Sequence, residues 1–394
     1  MRLADYYECT ACTACVDRCG HNALTSFIDK NGYYAIKADA QRCVDCGACS
    51  KVCPVIRDNK ENEKRQVSND SFACWSLDSR LRKVAASGGA FIAIASEVLT
   101  LGGVVYGAST DGFRVRHIRV CDQSDLYRVA GSKYQQSEMI GVYRQIQKDL
   151  KKGKIVLFGG LSCQVAALKT FINHDLAQRL FTVDTICGGI STIAPMMALQ
   201  DEARYKGICS FRDKANGWMS KNFKYSLKLY KHDGTVEDLG LNNIVLKSFC
   251  SPILKRSSCL DCKFNGFYRD SDCTIGDYWG DERFPEEHKD GLSVLIKHTD
   301  RLDKIIESST LHLEPTSLEH IIRHNNNYFW TYYPFIRNSR FRKRILRALA
   351  RRDFPLAESI LENPSLCERI SLKVHYWLNS KLKQDYYKRH IHKK

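Results

Sequence analysis

The chain has 394 residues, 44% of them hydrophobic, with 60 Lys and Arg against 44 Asp and Glu and with 18 cysteines. That length and apolar content support two or three domains with real cores. The most apolar stretch, Val84 to Ser109, is interrupted by Glu97, Gly102, Gly103 and Gly107, so it reads as buried helix plus strand and not as a membrane span. No leader peptide is expected, and so many cysteines are then expected to ligate metal in the cytoplasm rather than to form disulfides.

In chain order, the first elements are two cysteine runs. Cys9, Cys12, Cys15 and Cys19 are separated by two, two and three residues, and Cys43, Cys46, Cys49 and Cys53 repeat that spacing ahead of Pro54. Bacterial ferredoxins with two cubane 4Fe-4S clusters use this run, the fourth cysteine of each run ligating the other cluster. One site would then be Cys9, Cys12, Cys15 and Cys53, and the other Cys43, Cys46, Cys49 and Cys19. A zinc site needs two close pairs separated by a loop, not four ligands packed into one short run. Gly20 follows Cys19 where a ferredoxin usually has proline, which loosens a turn and removes no ligand. Residues 1–58 are thus expected to form an α+β ferredoxin-like domain that handles electrons singly.

The polar segment 59–70 reads as a linker. Strand and helix signals then alternate. Strands are expected at Phe72–Leu77, Val104–Ala108, Val115–Val120, Ile155–Phe158 and Phe181–Ile186, and helices at Ser87–Leu101, Met139–Lys151, Cys163–Phe171 and Ala194–Tyr205. The alternation predicts a larger α/β domain with a mixed sheet over 71–316. Phe223–Tyr230 and Thr235–Leu239 flank a His-Asp-Gly turn and read as an inserted hairpin.

Several segments of this domain carry chemistry. Ser87, Gly88 and Gly89 open a helix, where backbone amides can approach a phosphate. Gly131-Ser132-Lys133-Tyr134 offers a hydroxyl, an ammonium and a ring to a nucleotide or flavin. Cys163 and Cys187 each stand just past the carboxyl end of an expected strand, where open α/β sheets bind ligands. Cys259 and Cys262 form a close pair that is half of a metal site. Converging loops would make Cys163, Cys187, Cys259 and Cys262 a third cluster, with Cys250 and Cys273 as rival ligands.

The net charge of +16 is uneven, because residues 331–394 hold 16 Lys or Arg and only 5 Asp or Glu. Residues 317–394 are expected to be a helical, basic C-terminal region. Arg340, Arg342, Lys343, Arg344, Arg347, Arg351 and Arg352 alternate with Phe341, Ile345, Leu346 and Leu349 as in an amphipathic helix with one cationic face. Such a face suits solvent, an acidic protein partner or an anionic membrane surface. No nucleic-acid motif accompanies the charge, so no nucleic-acid partner is expected.

Taken together, Ser87-Gly-Gly, Gly131-Ser-Lys-Tyr, Gly159-x3-Cys-Gln-Val-Ala-Ala-Leu168, Asp184-x2-Cys-Gly, Cys259-x2-Cys262-Lys-Phe and Thr274-Ile-Gly-Asp-Tyr-Trp-Gly280 resemble the beta subunit of coenzyme F420 hydrogenase and dehydrogenase and its bacterial relatives. The resemblance runs from about Phe72 to Val294 and implies one FAD, a cubane cluster in the α/β domain and hydride exchange with an organic substrate. It carries Ser87, Gly88, Gly89, Ser132, Lys133 and Tyr134 over as candidates for the FAD pocket. Two departures stand out. Gly160-Leu-Ser-Cys163 replaces Gly-Thr-Pro-Cys, and Cys187-Gly188-Gly189 replaces Cys-His-Gly, removing a potential proton donor near the flavin. The substrate is therefore not transferable.

The resemblance implies an iron–sulfur flavoprotein oxidoreductase of the cytoplasm, peripheral at the inner membrane face if its tail binds lipid. It would exchange electrons with a carrier such as ferredoxin and hydride with a small-molecule substrate. The rival expectation is a non-catalytic electron-transfer or scaffold subunit of a surface-polysaccharide system.

Overall fold

The computed structural model describes residues 2–56, 70–212, 214, 217–218, 226–280, 283–325 and 334–391, so the expected linker lies, except for Asp70, outside the described residues. The amino-terminal module contains α1 (Ala14–Arg18), β1 (Leu24–Ile28), β2 (Tyr34–Ala38) and α2 (Ala48–Lys51), with β1 antiparallel to β2 and Leu24 opposite Ala38. Each cysteine run enters its helix through a left-handed residue, Thr13 at φ 64° and Gly47 at φ 70°. Cys15 and Cys49 then take the second position of their helices, so the repeat in sequence is a repeat in backbone shape.

After the linker come β3 (Ser71–Ser76), α3 (Ser79–Val84), α4 (Ala90–Thr100), β4 (Val104–Asp111), β5 (Arg114–Val120), α5 (Val142–Lys151), β6 (Val156–Leu161), α6 (Ser162–Phe171), β7 (Leu180–Thr185) and α7 (Ala194–Asp201). A smaller unit follows with β8 (Tyr205–Ser210), β9 (Lys228–Lys231), β10 (Val236–Asp238) and α8 (Ile244–Cys250). The chain returns to the main sheet in β11 (Cys273–Asp277), β12 (Ser293–Lys297), α9 (Asp303–Ser308) and β13 (Leu311–Thr316). It ends in α10 (Leu318–His324), α11 (Pro334–Arg337), α12 (Arg340–Ala350), α13 (Phe354–Glu362) and α14 (Leu366–Ile391).

The main sheet has 8 strands in the order β13-β3-β12-β11-β7-β6-β4-β5. Neighbours β4, β6, β7 and β11 are parallel, while β5, β12, β3 and β13 join antiparallel. The sheet is therefore mixed, and both faces are covered. Leu157 and Val105 point into the core beneath α4 and α9, whereas Val156, Phe158, Val104 and Tyr106 point toward α5 and α6. Burial on both sides explains why these strands read as short apolar runs rather than clean alternations.

Several expected boundaries move. The helix expected from Ser87 begins at Ala90, after Gly89 at φ 90°. The helix expected from Met139 begins at Val142, and the one expected to reach Tyr205 ends at Asp201, because Tyr205 opens a strand. The inserted hairpin is β9 with β10, its residues 223–225 lying outside the described residues, and β8 pairs with β9 as an unanticipated third strand. In α12 the apolar face packs into a core with Leu254, Leu260 and Ala357. Arg342 departs from the cationic face: it is buried and donates to the Ile253 carbonyl and, at 3.5 Å, to the Tyr33 hydroxyl. Arg344 and Arg352 pair with Glu368 and Asp201 at 2.7 and 3.0 Å. Among the described residues no helix is long and apolar enough to cross a membrane.

The amino-terminal module packs on the α5–α6 side of the sheet, Cys12, Ala14 and Val52 sharing a core with Tyr143, Val165 and Leu168. Arg18 donates to the Phe171 carbonyl at 2.6 Å, and Thr170 donates to the Val52 carbonyl at 2.8 Å. Asp17 caps α5 from across the interface: its carboxylate accepts from the amides of Gly141 at 2.7 Å and Tyr143 at 3.2 Å. Those amides belong to the first turn of α5, where no carbonyl of the helix itself is available. At the hairpin tip, Gly32 has φ 79°, and a Cβ there would collide with Thr192 Oγ1 and stand 2.6 Å from Ala194 N.

The far end of α5 is fixed by charge. The buried Asp149 carboxylate accepts from Arg119 Nε at 2.7 Å and from Tyr106 hydroxyl at 2.6 Å. Burial opposes its ionisation, but these two bonds prevail and hold its pKa below the ordinary carboxylate value. A depressed folded pKa stabilises above the unfolded value, and that contribution disappears as pH falls through the folded one. Asp149→Ala is expected to cost about 3 kcal/mol in chemical denaturation and to flatten the acid limb of the stability curve. Asp17→Ala should cost about 1 kcal/mol through the lost cap. An unchanged melting midpoint for the latter would show that α5 does not depend on this contact.

Candidate iron–sulfur centres and the adjoining pocket

Cys9, Cys12, Cys15 and Cys53 line one cavity of about 120 Å³, together with Pro54 and Arg256. Cys53, from the second run, thus meets the first three thiols of the first run. Burial raises all three of those thiols, and their neighbours add to it: Cys12 is pushed up to about 12, with Cys9 and Cys53 contributing. The Ala11 amide points at Cys9 Sγ at 3.3 Å. Of the other set, Cys43 and Cys46 lie on the loop before α2, Cys49 is buried in α2, and Cys19 caps the end of α1, its sulfur accepting the Ala23 amide at 3.3 Å. Cys49 is within electrostatic reach of Cys15.

The second gathering lies at the carboxyl edge of the sheet. Because β6 and β7 are parallel neighbours, the residues just beyond them are side by side, and these include Cys163 in the first turn of α6 and Cys187 after β7. Cys259 lies in a 3-10 turn at Ser257–Leu260, followed by Cys262. Burial raises Cys163 far above an ordinary thiol, and then Cys262, Cys259 and Cys187 raise it further. Burial likewise pushes Cys187 up to about 11 and Cys262 up to about 12, with Cys259 adding to both. Backbone amides are aimed at the sulfurs, Gly189 N to Cys187 Sγ at 3.3 Å and Ile190 N to Cys259 Sγ at 3.4 Å. The rival cysteines stand elsewhere: Cys250 is exposed at the end of α8, and Cys273 is buried in the sheet core with Cys74.

Four soft donors that oppose one another's ionisation, with amides directed at their sulfurs, fit a cluster whose irons share the thiolate charge. Among the described residues no three Cys, His, Asp or Glu side chains converge as ligands of a single ion. The two gatherings adjoin, for Cys12 is within the field of Cys163. Tyr143 is within the field of Cys12 and Cys163 and donates its hydroxyl to the Cys12 carbonyl at 2.8 Å.

Buried cations surround the sulfur. Arg269 pairs with Asp184 at 3.3 Å and also donates to Ser162 Oγ. Lys255 Nζ donates to the Gly189 carbonyl at 2.9 Å and stands 4.2 Å from the Phe249 ring centre. Burial pulls its pKa down to about 8, against the pull of Cys187 and Cys259.

The flavin candidates divide. Ser87 is buried against Ser293, hydroxyl to hydroxyl at 2.9 Å, and a Cβ on Gly88 would collide with the Cys74 carbonyl oxygen. These small residues let the loop press onto the sheet, so their open phosphate cradle is not what the packing displays. Tyr134 stacks on Phe249 with ring centres 4.1 Å apart. Ser132 is half-buried. Lys133 differs: burial lowers its pKa to about 7, and its acceptors are the carbonyls of Ala130, Gly131 and Arg128. Close by, His117 is buried and lowered to about 4, first by burial and also by Lys133. Its Nε2 meets the Gly159 carbonyl at 2.9 Å, and its Nδ1 has no hydrogen-bond partner among the described residues. A cation met only by carbonyls beside an orphaned ring nitrogen fits a phosphate-bearing group. Sequence reasoning missed His117, Lys255 and Arg256. The signal for His117 was an inward-facing polar residue in the alternation of β5, whereas nothing local marks the other two.

Residues 153–318 match the family described as the C terminus of the coenzyme F420 hydrogenase/dehydrogenase beta subunit, and residues 8–56 match the 4Fe-4S dicluster domain. A chain of the xenon-derivatised F420-reducing NiFe hydrogenase complex from Methanosarcina barkeri is similar in structure, at 15% identity and a TM-score of 0.47, over 71% of this chain and 93% of that one. No curated protein matches the chain. Residues 153–318 thus match the C-terminal domain of that beta subunit, behind a 4Fe-4S dicluster domain, and the chain is an iron–sulfur protein of the oxidoreductase, electron-transferring kind.

Proposed function

We propose that this chain relays single electrons among two ferredoxin-type 4Fe-4S clusters, a third 4Fe-4S cluster and FAD, with hydride exchange to a small organic substrate. The observation that carries this reading is the contiguity of two buried thiol sets, Cys12 of one lying within the field of Cys163 of the other. Flavin bound here would supply the junction between hydride and one-electron chemistry.

The chain's own residues prepare for that junction. Cys9, Cys12, Cys15 and Cys53 would hold one cluster; Cys43, Cys46, Cys49 and Cys19 a second; Cys163, Cys187, Cys259 and Cys262 the third. Lys133 would meet the diphosphate of FAD, since its charge has only carbonyl dipoles around it. A carbonyl can only accept, so His117 Nε2 carries the hydrogen and Nδ1 presents a lone pair. Nδ1 would accept a hydrogen bond from a bound ring or sugar and, with its pKa lowered to about 4, stays unprotonated at neutral pH. We place the protein in the cytoplasm with a carrier such as ferredoxin as electron partner, and the exposed Arg340, Lys343, Arg347 and Arg351 suit an acidic carrier or an anionic membrane face.

A second reading is favoured by the packing of Ser87, Gly88 and Tyr134, which occupies half of the carried-over flavin residues. In it the chain is an electron-transfer or scaffold subunit of a surface-polysaccharide system and binds no flavin.

Iron, sulfide and flavin assays on protein purified without oxygen separate the two. About 12 irons and one FAD per chain are expected for the enzyme, and roughly 8 irons without flavin for the scaffold. Cys163→Ser should remove about 4 irons while leaving the ferredoxin-type signals. Unchanged iron in that variant would mean that Cys163 is no ligand.

A further inference from the structure

Lys255 and Arg256 are adjacent in sequence, buried, and aimed at different thiol sets. Arg256 is 5% exposed and lines the cavity of Cys9, Cys12, Cys15 and Cys53. Its Nη2 donates to the Tyr34 carbonyl at 2.7 Å and to Gln136 Oε1 at 3.0 Å, and its Nη1 reaches the Cys9 carbonyl at 3.5 Å. Gln136 in turn donates to the carbonyls of Thr10 at 2.9 Å and Ala11 at 3.2 Å, so the guanidinium and this amide together grip the cysteine loop. The backbone of Arg256 belongs to the other set: its amide donates to the Ile190 carbonyl at 2.7 Å and its carbonyl accepts the Cys259 amide at 3.0 Å. Lys255 turns the opposite way, to the Gly189 and Phe249 carbonyls, with its stem and the Cys259 side chain both beside Gly189.

All the acceptors of these two side chains are neutral, and among the described residues neither forms an ion pair with a carboxylate. The Nε of Arg256 has no hydrogen-bond partner there either. A buried cation is costly unless negative charge stands close by. Here the groups that would become negative, as thiolates of a cluster, are the cysteines: Arg256 lines the cavity of Cys9, Cys12, Cys15 and Cys53, and Lys255 Nζ donates to the carbonyl of Gly189, whose amide points at Cys187 Sγ.

We propose that Arg256 and Lys255 set the reduction potentials of two adjoining clusters, Arg256 raising that of the cluster on Cys9, Cys12, Cys15 and Cys53 and Lys255 that of the cluster on Cys163, Cys187, Cys259 and Cys262. The inference rests on the cluster assignment proposed above. One-electron reduction, with the electron drawn from the carrier and no atom transferred, adds one negative charge inside each site. A fixed cation in a weakly polar interior favours that added charge. Placing the two cations on consecutive residues ties both potentials to one short segment.

The test is a redox titration followed by electron paramagnetic resonance on the anaerobically purified full-length holoprotein, with dithionite as reductant. Arg256→Gln should lower the reduced-to-oxidised ratio of one cluster about tenfold at its wild-type midpoint, a shift of about 59 mV for one electron. Lys255→Met should do the same to a different cluster, and Arg256→Lys, which keeps the charge, should stay close to wild type. Full iron content with unchanged ratios in both neutral variants overturns the proposal, as does an Arg256→Lys shift equal to that of Arg256→Gln, which would signal packing rather than charge. Should Arg256→Gln fail to assemble, Lys255→Met alone decides by the same criterion. Wild-type protein lacking iron at these sets would instead overturn the cluster assignment, and the iron assay tells the two failures apart.

Discussion

Burial and mutual repulsion push the thiols of Cys12, Cys187 and Cys262 up to about 12, 11 and 12, beyond the range where free thiols ionise at neutral pH. Sulfur crowded in this way stays protonated and ionises only if something shares the charge. Irons would do so inside a cluster, and the amides of Ala11, Gly189 and Ile190 already point at the sulfurs. A cavity and the buried cations Arg256, Lys255 and Arg269 stand near these thiols.

Bringing two such gatherings together requires the amino-terminal module to sit firmly on the sheet. Its docking uses several kinds of force at once: shared apolar burial around Tyr143, a carboxylate cap from Asp17 on α5, and a glycine turn at Gly32 pressed on the start of α7. The other end of α5 is held by the Asp149–Arg119 pair. A helix clamped at both ends presents Tyr143 within the field of Cys12 and of Cys163, so stability far from the sulfur is part of what keeps the two sites adjacent.

Glycine-rich segments illustrate how one residue pattern serves different ends. At Gly88 the missing side chain admits the Cys74 carbonyl, and at Gly159 it admits the Phe91 ring, which a Cβ would strike. Both are close-packing roles. The group in this region whose surroundings call for a negative ligand is Lys133, and its neighbour His117 came from an edge strand that no motif had marked.

The cysteine spacing was fully legible, because ligation within a run is a local matter of a few backbone turns. The mixed α/β character was legible as well, since covered strands and amphipathic helices carry their own periodicities. Strands β8, β11, β12 and β13 were not read, because Tyr205–Ser210 followed a helical stretch directly and the last three are short and defined by their neighbours in the sheet. Nor could composition reveal that Arg342 faces inward, as burial of a cation depends on carbonyls contributed by distant segments. By itself, then, the sequence determined the cysteine spacing and the expectation that Cys53 completes the set of Cys9, Cys12 and Cys15. Only the tertiary structure decided that Cys163 adjoins Cys12 and that Lys255 and Arg256 face opposite ways. Those are long-range electrostatic relations, and they exist only once separate loops have been brought to one edge of the sheet.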